Sequence, residues 1–111
     1  MTFTFPDGSI GVVDYLANGD KSFPKERVEV FCAGTVAVLD DFRVLQTVRD
    51  GKKKEERRAQ DKGWVNEWQA FAKSIREGGA PPIPYEQLIG VTKSTFAAVE
   101  SIRSGKMIPI S

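Results

Sequence analysis

Phe5-Pro6-Asp7-Gly8-Ser9-Ile10-Gly11-Val12-Val13-Asp14-Tyr15 reads as strand, tight turn, strand. Pro6 presets φ for the first central turn position, and the Asp7 carboxylate can accept a bond from its own backbone two residues on. Gly8 takes a positive φ without a Cβ clash. The expected strands are Thr2–Phe5 and Ser9–Ala17. The strand signal continues after the hairpin. Asn18-Gly19-Asp20 opens a polar loop that Phe23-Pro24 extends. Arg27–Ala33 then alternates, with Val28, Val30 and Cys32 on one face and Arg27, Glu29 and Phe31 on the other. Gly34 turns the chain into Thr35–Leu39, and Asp40-Asp41 turns it again into Arg43–Val48. These runs are rich in β-branched and aromatic residues. The gaps between the later ones are too short for helical crossovers, so the strands are expected to form an antiparallel meander.

The period changes after residue 60. Asp61 can cap a helix over Lys62–Glu77, whose Trp64, Trp68, Phe71 and Ile75 recur on one stripe. Gly78-Gly79 stops it, and Ala80-Pro81-Pro82-Ile83-Pro84 is a stiff extended connector. A second helix follows over Tyr85–Ser104, with Leu88, Val91, Thr95, Val99 and Ile102 on its stripe, closed by Gly105. Strands followed by helices give an α+β fold: an open antiparallel sheet with two C-terminal helices packed on one face. The strands also place Val13, Tyr15 and Ala17 opposite Ile10, Val12 and Leu16. Both sheet faces are therefore apolar. The face the helices leave open is expected to be covered by another copy of the chain, making a homo-oligomer, or by a further domain.

At 111 residues the length fits one domain. The net charge of +1 gives no global field for nucleic acid or a membrane surface, and no apolar run approaches spanning length. Cys32 is the only cysteine, which excludes an internal disulfide and fits a reducing, cytoplasmic setting. Its apolar neighbours predict a small buried hydrophobe. Histidine is absent, which removes Ser-His and Cys-His catalysis and His-containing metal sites. No catalytic or metal-ligating set emerges.

No glycine loop between a strand and a helix offers a dinucleotide site, because Gly8 and Gly11 sit in the hairpin. Asp40-Asp41 reads as a turn. The charge cluster Arg49–Lys62 places five basic residues within Lys52–Arg58, interrupted by Glu55 and Glu56. It lacks the interleaved aromatics of a nucleic-acid patch and is expected to be a solvated, mobile connector. The loop Asn18–Arg27 is the most site-like segment. It is long and polar, and it sets Lys21 and Lys25 beside an aromatic and a proline, where they could hold an anionic or hydroxylated ligand. Trp64 and Trp68 could stack on a sugar, but their helical spacing marks them first as core.

Several blocks together are similar to a known family: DGSIG-x-x-DY (Asp7–Tyr15), GDKSFPKERVEVF (Gly19–Phe31), LDDF (Leu39–Phe42), QDKGW (Gln60–Trp64), SIREGGAPPIPYE (Ser74–Glu86) and SIRSGK (Ser101–Lys106). In order and spacing they resemble the C-terminal portion of Gfo/Idh/MocA oxidoreductases, closest in look to the bacterial bi-domain type. The resemblance implies an open antiparallel sheet with helices on one face and subunit contacts on the other. It also implies a parent enzyme that moves hydride between NAD(P) and a sugar or cyclitol hydroxyl carbon. The nucleotide-binding domain and the catalytic motifs of such a parent lie outside these blocks. On this reading the chain is one partial C-terminal substrate and oligomerisation domain. It holds no cofactor and does not catalyse alone, and Lys21 and Lys25 are its substrate-side candidates. Trp64 stands where many relatives carry a histidine, which separates this helix start from the family's substrate contacts. The alternative reading is a free-standing, non-enzymatic interaction module on the same scaffold.

Overall fold

The structure is a computed structural model that describes residues 1–110. The fold is α+β: two open antiparallel sheets and two C-terminal helices. The chain divides into two compact units, Leu16–Asn66 and a second made of Met1–Tyr15 with Glu67–Ser111.

The unit Leu16–Asn66 holds a four-stranded meander of β3 (Arg27–Cys32), β4 (Thr35–Asp40), β5 (Val44–Arg49) and β6 (Lys52–Arg57), in that spatial order. Two-residue turns join β3 to β4 and β5 to β6. Ala33 and Gly34 stand at φ 46° and 72°, and Asp50 and Gly51 at 49° and 70°. Two consecutive positive φ angles make the turn whose twist matches a right-handed strand pair. Register then fixes the faces. Val28 lies opposite Leu39, which lies opposite Leu45, and Val30 lies opposite Ala37. The reverse face carries Arg27 opposite Asp40, with Phe31, Val36 and Val48 in a row at its other end.

β6 corrects the expectation of a mobile connector. Lys52–Arg57 pairs residue for residue with β5, from Arg49 opposite Lys52 to Val44 opposite Arg57. Its charges are compensated locally, Lys54 and Arg58 by Glu56, and Arg57 by Glu55.

The second unit opens with the hairpin of β1 (Thr2–Thr4) and β2 (Ile10–Val12). Its turn closes with the Gly8 N–H donating to the Phe5 carbonyl at 2.9 Å, and Asp7 Oδ1 accepts from both the Ser9 N–H and hydroxyl. β2 is shorter than the expected Ser9–Ala17. Its ladder ends where Val13 N–H meets the Met1 carbonyl, and a strand needs a partner to continue. Helix α1 (Trp64–Glu77) begins in the first unit and runs through the second; α2 (Tyr85–Ser104) lies wholly in the second. Asp61 bonds the Gly63 N–H at 2.8 Å, so it orders the approach to α1 instead of capping a helix from Lys62. Gly105, at φ 66°, ends α2 by donating to the Ser101 carbonyl.

No described hydrophobic side chain is fully buried. The stripe residues Trp64, Trp68, Val91 and Ile102 are exposed. Cys32, expected to be a buried hydrophobe, is exposed because it ends the edge strand β3.

Candidate functional site

The loop Asn18–Arg27 leads into β3, and its first half is tied by its own side chains. Asp20 Oδ1 accepts from the Ser22 N–H at 2.8 Å and from the Ser22 hydroxyl at 2.7 Å, while Phe23 N–H reaches the Asp20 carbonyl at 3.2 Å. The Ser22 hydroxyl, then the Ser22 amide, hold the Asp20 carboxyl below the ordinary carboxylate range. Phe23 projects into solvent at 76% exposure. Lys21 and Lys25 flank it, both exposed and neither paired among the described residues. The two ammonium groups therefore stand on a braced loop on either side of an aromatic ring and a proline. Such an arrangement can meet an anionic or hydroxylated ligand.

The end of the loop is anchored more firmly. Glu26 Oε1 receives a hydrogen bond from Lys62 Nζ at 2.6 Å, the least exposed ion pair described in the chain. The Glu26 carbonyl accepts from the Asp41 N–H at 2.8 Å. The turn between β4 and β5 is held from the other side as well. Gln60 Nε2 donates to the Asp41 carbonyl at 3.1 Å, and Asp61 N–H donates to the Phe42 carbonyl. Asp41 and Phe42 take left-handed conformations, at φ 50° and 54°, which these contacts and the Arg43–Asp41 pair hold in place. One corner thus gathers Glu26 from the Phe-Pro-Lys-Glu-Arg block, Asp41 and Phe42 from the Leu-Asp-Asp-Phe block, and Gln60 to Lys62 from the Gln-Asp-Lys-Gly block.

Beside this corner, Arg27 bridges Glu29 and Asp40. The Glu29 hydrogen bond and the Asp40 charge raise the Arg27 pKa. All three lie on one sheet face, where one guanidinium is shared between two carboxylates.

Glu26 and Lys62 were not singled out in the sequence. Thirty-six residues separate them, beyond any local spacing rule. Their membership in two separate family-like blocks was the one available signal. Asp40 and Asp41, which could have been paired carboxylates, face different partners, Arg27 and Arg43. No group of metal-ligating residues exists among the described residues.

In the other unit, Glu67, Trp68, Phe71, Pro81, Pro82, Ile83 and Leu88 line an apolar groove of about 460 Å³. Trp68 and Phe71 meet edge to face, with centroids 6.1 Å apart. Trp64 is not part of the lining. No helix is long and apolar enough to cross a membrane among the described residues.

No family model, curated protein or solved structure matches the chain.

Proposed function

We propose that this chain is the C-terminal domain of a cytoplasmic NAD(P)-dependent oxidoreductase that acts on a sugar or cyclitol hydroxyl carbon. Its role is to shape the substrate side of the cleft and to hold subunits together, with hydride chemistry supplied by a nucleotide-binding domain in the same polypeptide. The observation that carries the reading is the convergence at one corner. Three sequence blocks of the Gfo/Idh/MocA-like pattern, far apart in the chain, meet through Glu26–Lys62 and the Asp41–Phe42 turn. On this reading Lys21 and Lys25, on the loop that runs into Glu26, are the substrate-side groups.

A second reading is a non-enzymatic interaction module. It draws on the many exposed apolar side chains, among them Tyr15, Phe31 and Trp64.

The complete reading frame separates the two. Expressed whole, it is expected to reduce NAD or NADP with a polyol from a panel of sugars and cyclitols, while residues 1–111 alone neither turn over nor bind nicotinamide cofactors by calorimetry. A reading frame with no nucleotide-binding domain, or stoichiometric NAD(H) binding by the isolated chain, overturns the proposal.

A further inference from the structure

Three steps in the chain set an aspartate or asparagine directly before a glycine: Asp7-Gly8, Asn18-Gly19 and Asp50-Gly51. Such a pair has a chemistry of its own. The glycine nitrogen can attack the γ-carbonyl of the residue before it, because no Cβ shields the approach. A five-membered succinimide results. Closure needs a backbone N–H free to lose its proton and a side-chain carbonyl free to swing onto that nitrogen.

The fold restrains two of these steps. The Gly8 N–H donates to the Phe5 carbonyl at 2.9 Å, and Asp7 Oδ1 is held by the Ser9 N–H and hydroxyl. Asp50 and Gly51 form the two-residue turn fixed by the Arg49–Lys52 pair at the end of the ladder, and the Asp50 carboxylate lies 3.7 Å from the Arg49 guanidinium. Asn18 differs in each respect. Its side chain is an uncharged carboxamide, a better target for a nucleophile than an ionised carboxylate. Asn18 and Gly19 are both exposed, and neither makes a hydrogen bond among the described residues. A Cβ placed on Gly19 would find no atom within 4 Å.

We propose that Asn18-Gly19 is a self-modification site, the one such step the fold leaves open, converted through a succinimide to aspartate and isoaspartate in the folded chain. The Gly19 nitrogen gives its proton to solvent and bonds to Asn18 Cγ. The Cγ–Nδ2 bond breaks, and Nδ2 takes up a proton and leaves as ammonia. One water then opens the ring. Cleavage at Cγ yields aspartate. Cleavage at the main-chain carbonyl of residue 18 yields isoaspartate, which routes the backbone through the side chain. No oxidant or reductant enters. The product carries a carboxylate at the entrance of the loop that bears Lys21 and Lys25, so that loop becomes less positive as the chain ages.

Peptide mapping of the chain after incubation at mildly alkaline pH, folded and in urea, tests the assignment. Residue 18 should accumulate aspartate and isoaspartate, with ammonia released in equal amount, at similar rates in the two conditions. Asn66, within α1 and followed by Glu67, is the internal reference and should stay intact in the folded chain. Folding should suppress isoaspartate at residues 7 and 50 relative to urea. Gly19→Val puts a branched side chain into open space where φ is not left-handed, so the fold should persist by circular dichroism while conversion at residue 18 is largely lost. An Asn18 that stays intact or converts only in urea, undiminished conversion in Gly19→Val, or residues 7 and 50 converting as fast folded as in urea overturns the proposal.

Discussion

Lys62 Nζ lies 2.6 Å from Glu26 Oε1, with both side chains about two-thirds withdrawn from solvent. The contact ties the approach to α1 to the end of the Asn18–Arg27 loop and so closes a long stretch of chain. Exposed ion pairs contribute little because salt and side-chain entropy offset them; partial shielding moves this one toward the upper end of that range. Glu26→Gln and Lys62→Met should each lower stability by about 1 kcal/mol. A double-mutant cycle by denaturant melting should return a coupling of about 0.5–1 kcal/mol. A coupling indistinguishable from zero would mean that the backbone bonds to Asp41 and Phe42 hold the corner without the ion pair.

The turn between β5 and β6 rests on Asp50 and Gly51, both at positive φ. Gly51→Val would place a β-branched residue in left-handed backbone, a cost of about 1–2 kcal/mol. The denaturation midpoint should fall accordingly. Because β6 is an edge strand, its amides should lose exchange protection first, ahead of those in β4.

These two features mark where the sequence was hardest to read. The faces of β3, the span of α2 and the Phe5–Gly8 turn follow from period two, period 3.6 and turn chemistry, and each stands where those rules put it. β6 does not look like a strand because its six residues are all charged, so there is no apolar alternation to read. The Asp50-Gly51 pair was nevertheless a hairpin signal in plain view. Composition outweighed turn chemistry in reading that segment. The Glu26–Lys62 corner was illegible for another reason: pairing across thirty-six residues depends on how the sheet delivers both ends. The exposed stripes of α1 and α2 show the converse. Periodicity states which face is apolar, not what covers it.

The loop carboxylate offers a test in acid. Asp20 is held below the ordinary carboxylate value by the Ser22 hydroxyl and amide, and Asp7 likewise by the Ser9 hydroxyl and amide. A depressed folded-state pKa stabilises the fold at pH values above the unfolded value of about 3.9 and loses that contribution as pH falls through the folded pKa. The loop brace should therefore persist at neutral pH and release only in acid below about pH 4. Carboxyl carbon shifts should report Asp20 and Asp7 titrating below the ordinary aspartate value. Ser22→Ala should bring Asp20 back toward the ordinary value. An Asp20 that titrates at the ordinary aspartate value in the unmutated chain would show the loop unbraced in solution.

Lys21 and Lys25 offer the last test, because a substrate role and a solubilising role predict different readouts. Neither side chain is paired among the described residues, so removing its charge should leave stability within about 0.5 kcal/mol of the unmutated chain. In the full-length parent, Lys25→Ala should raise KM or lower kcat for a hydroxylated substrate, with Lys21→Ala acting in the same direction. Lys25→Arg keeps the charge but not the compact, rotatable donor set of an ammonium, so it should restore binding only in part. The Gln-Asp-Lys-Gly block supplies the control. Lys62→Met should lower stability in the 1–111 chain, whereas Lys25→Ala should alter kinetics alone. Kinetics unmoved by both loop variants, with stability also unchanged, would leave the two lysines as solvent-facing charges and shift the search for the substrate side to the groove around Trp68 and Phe71.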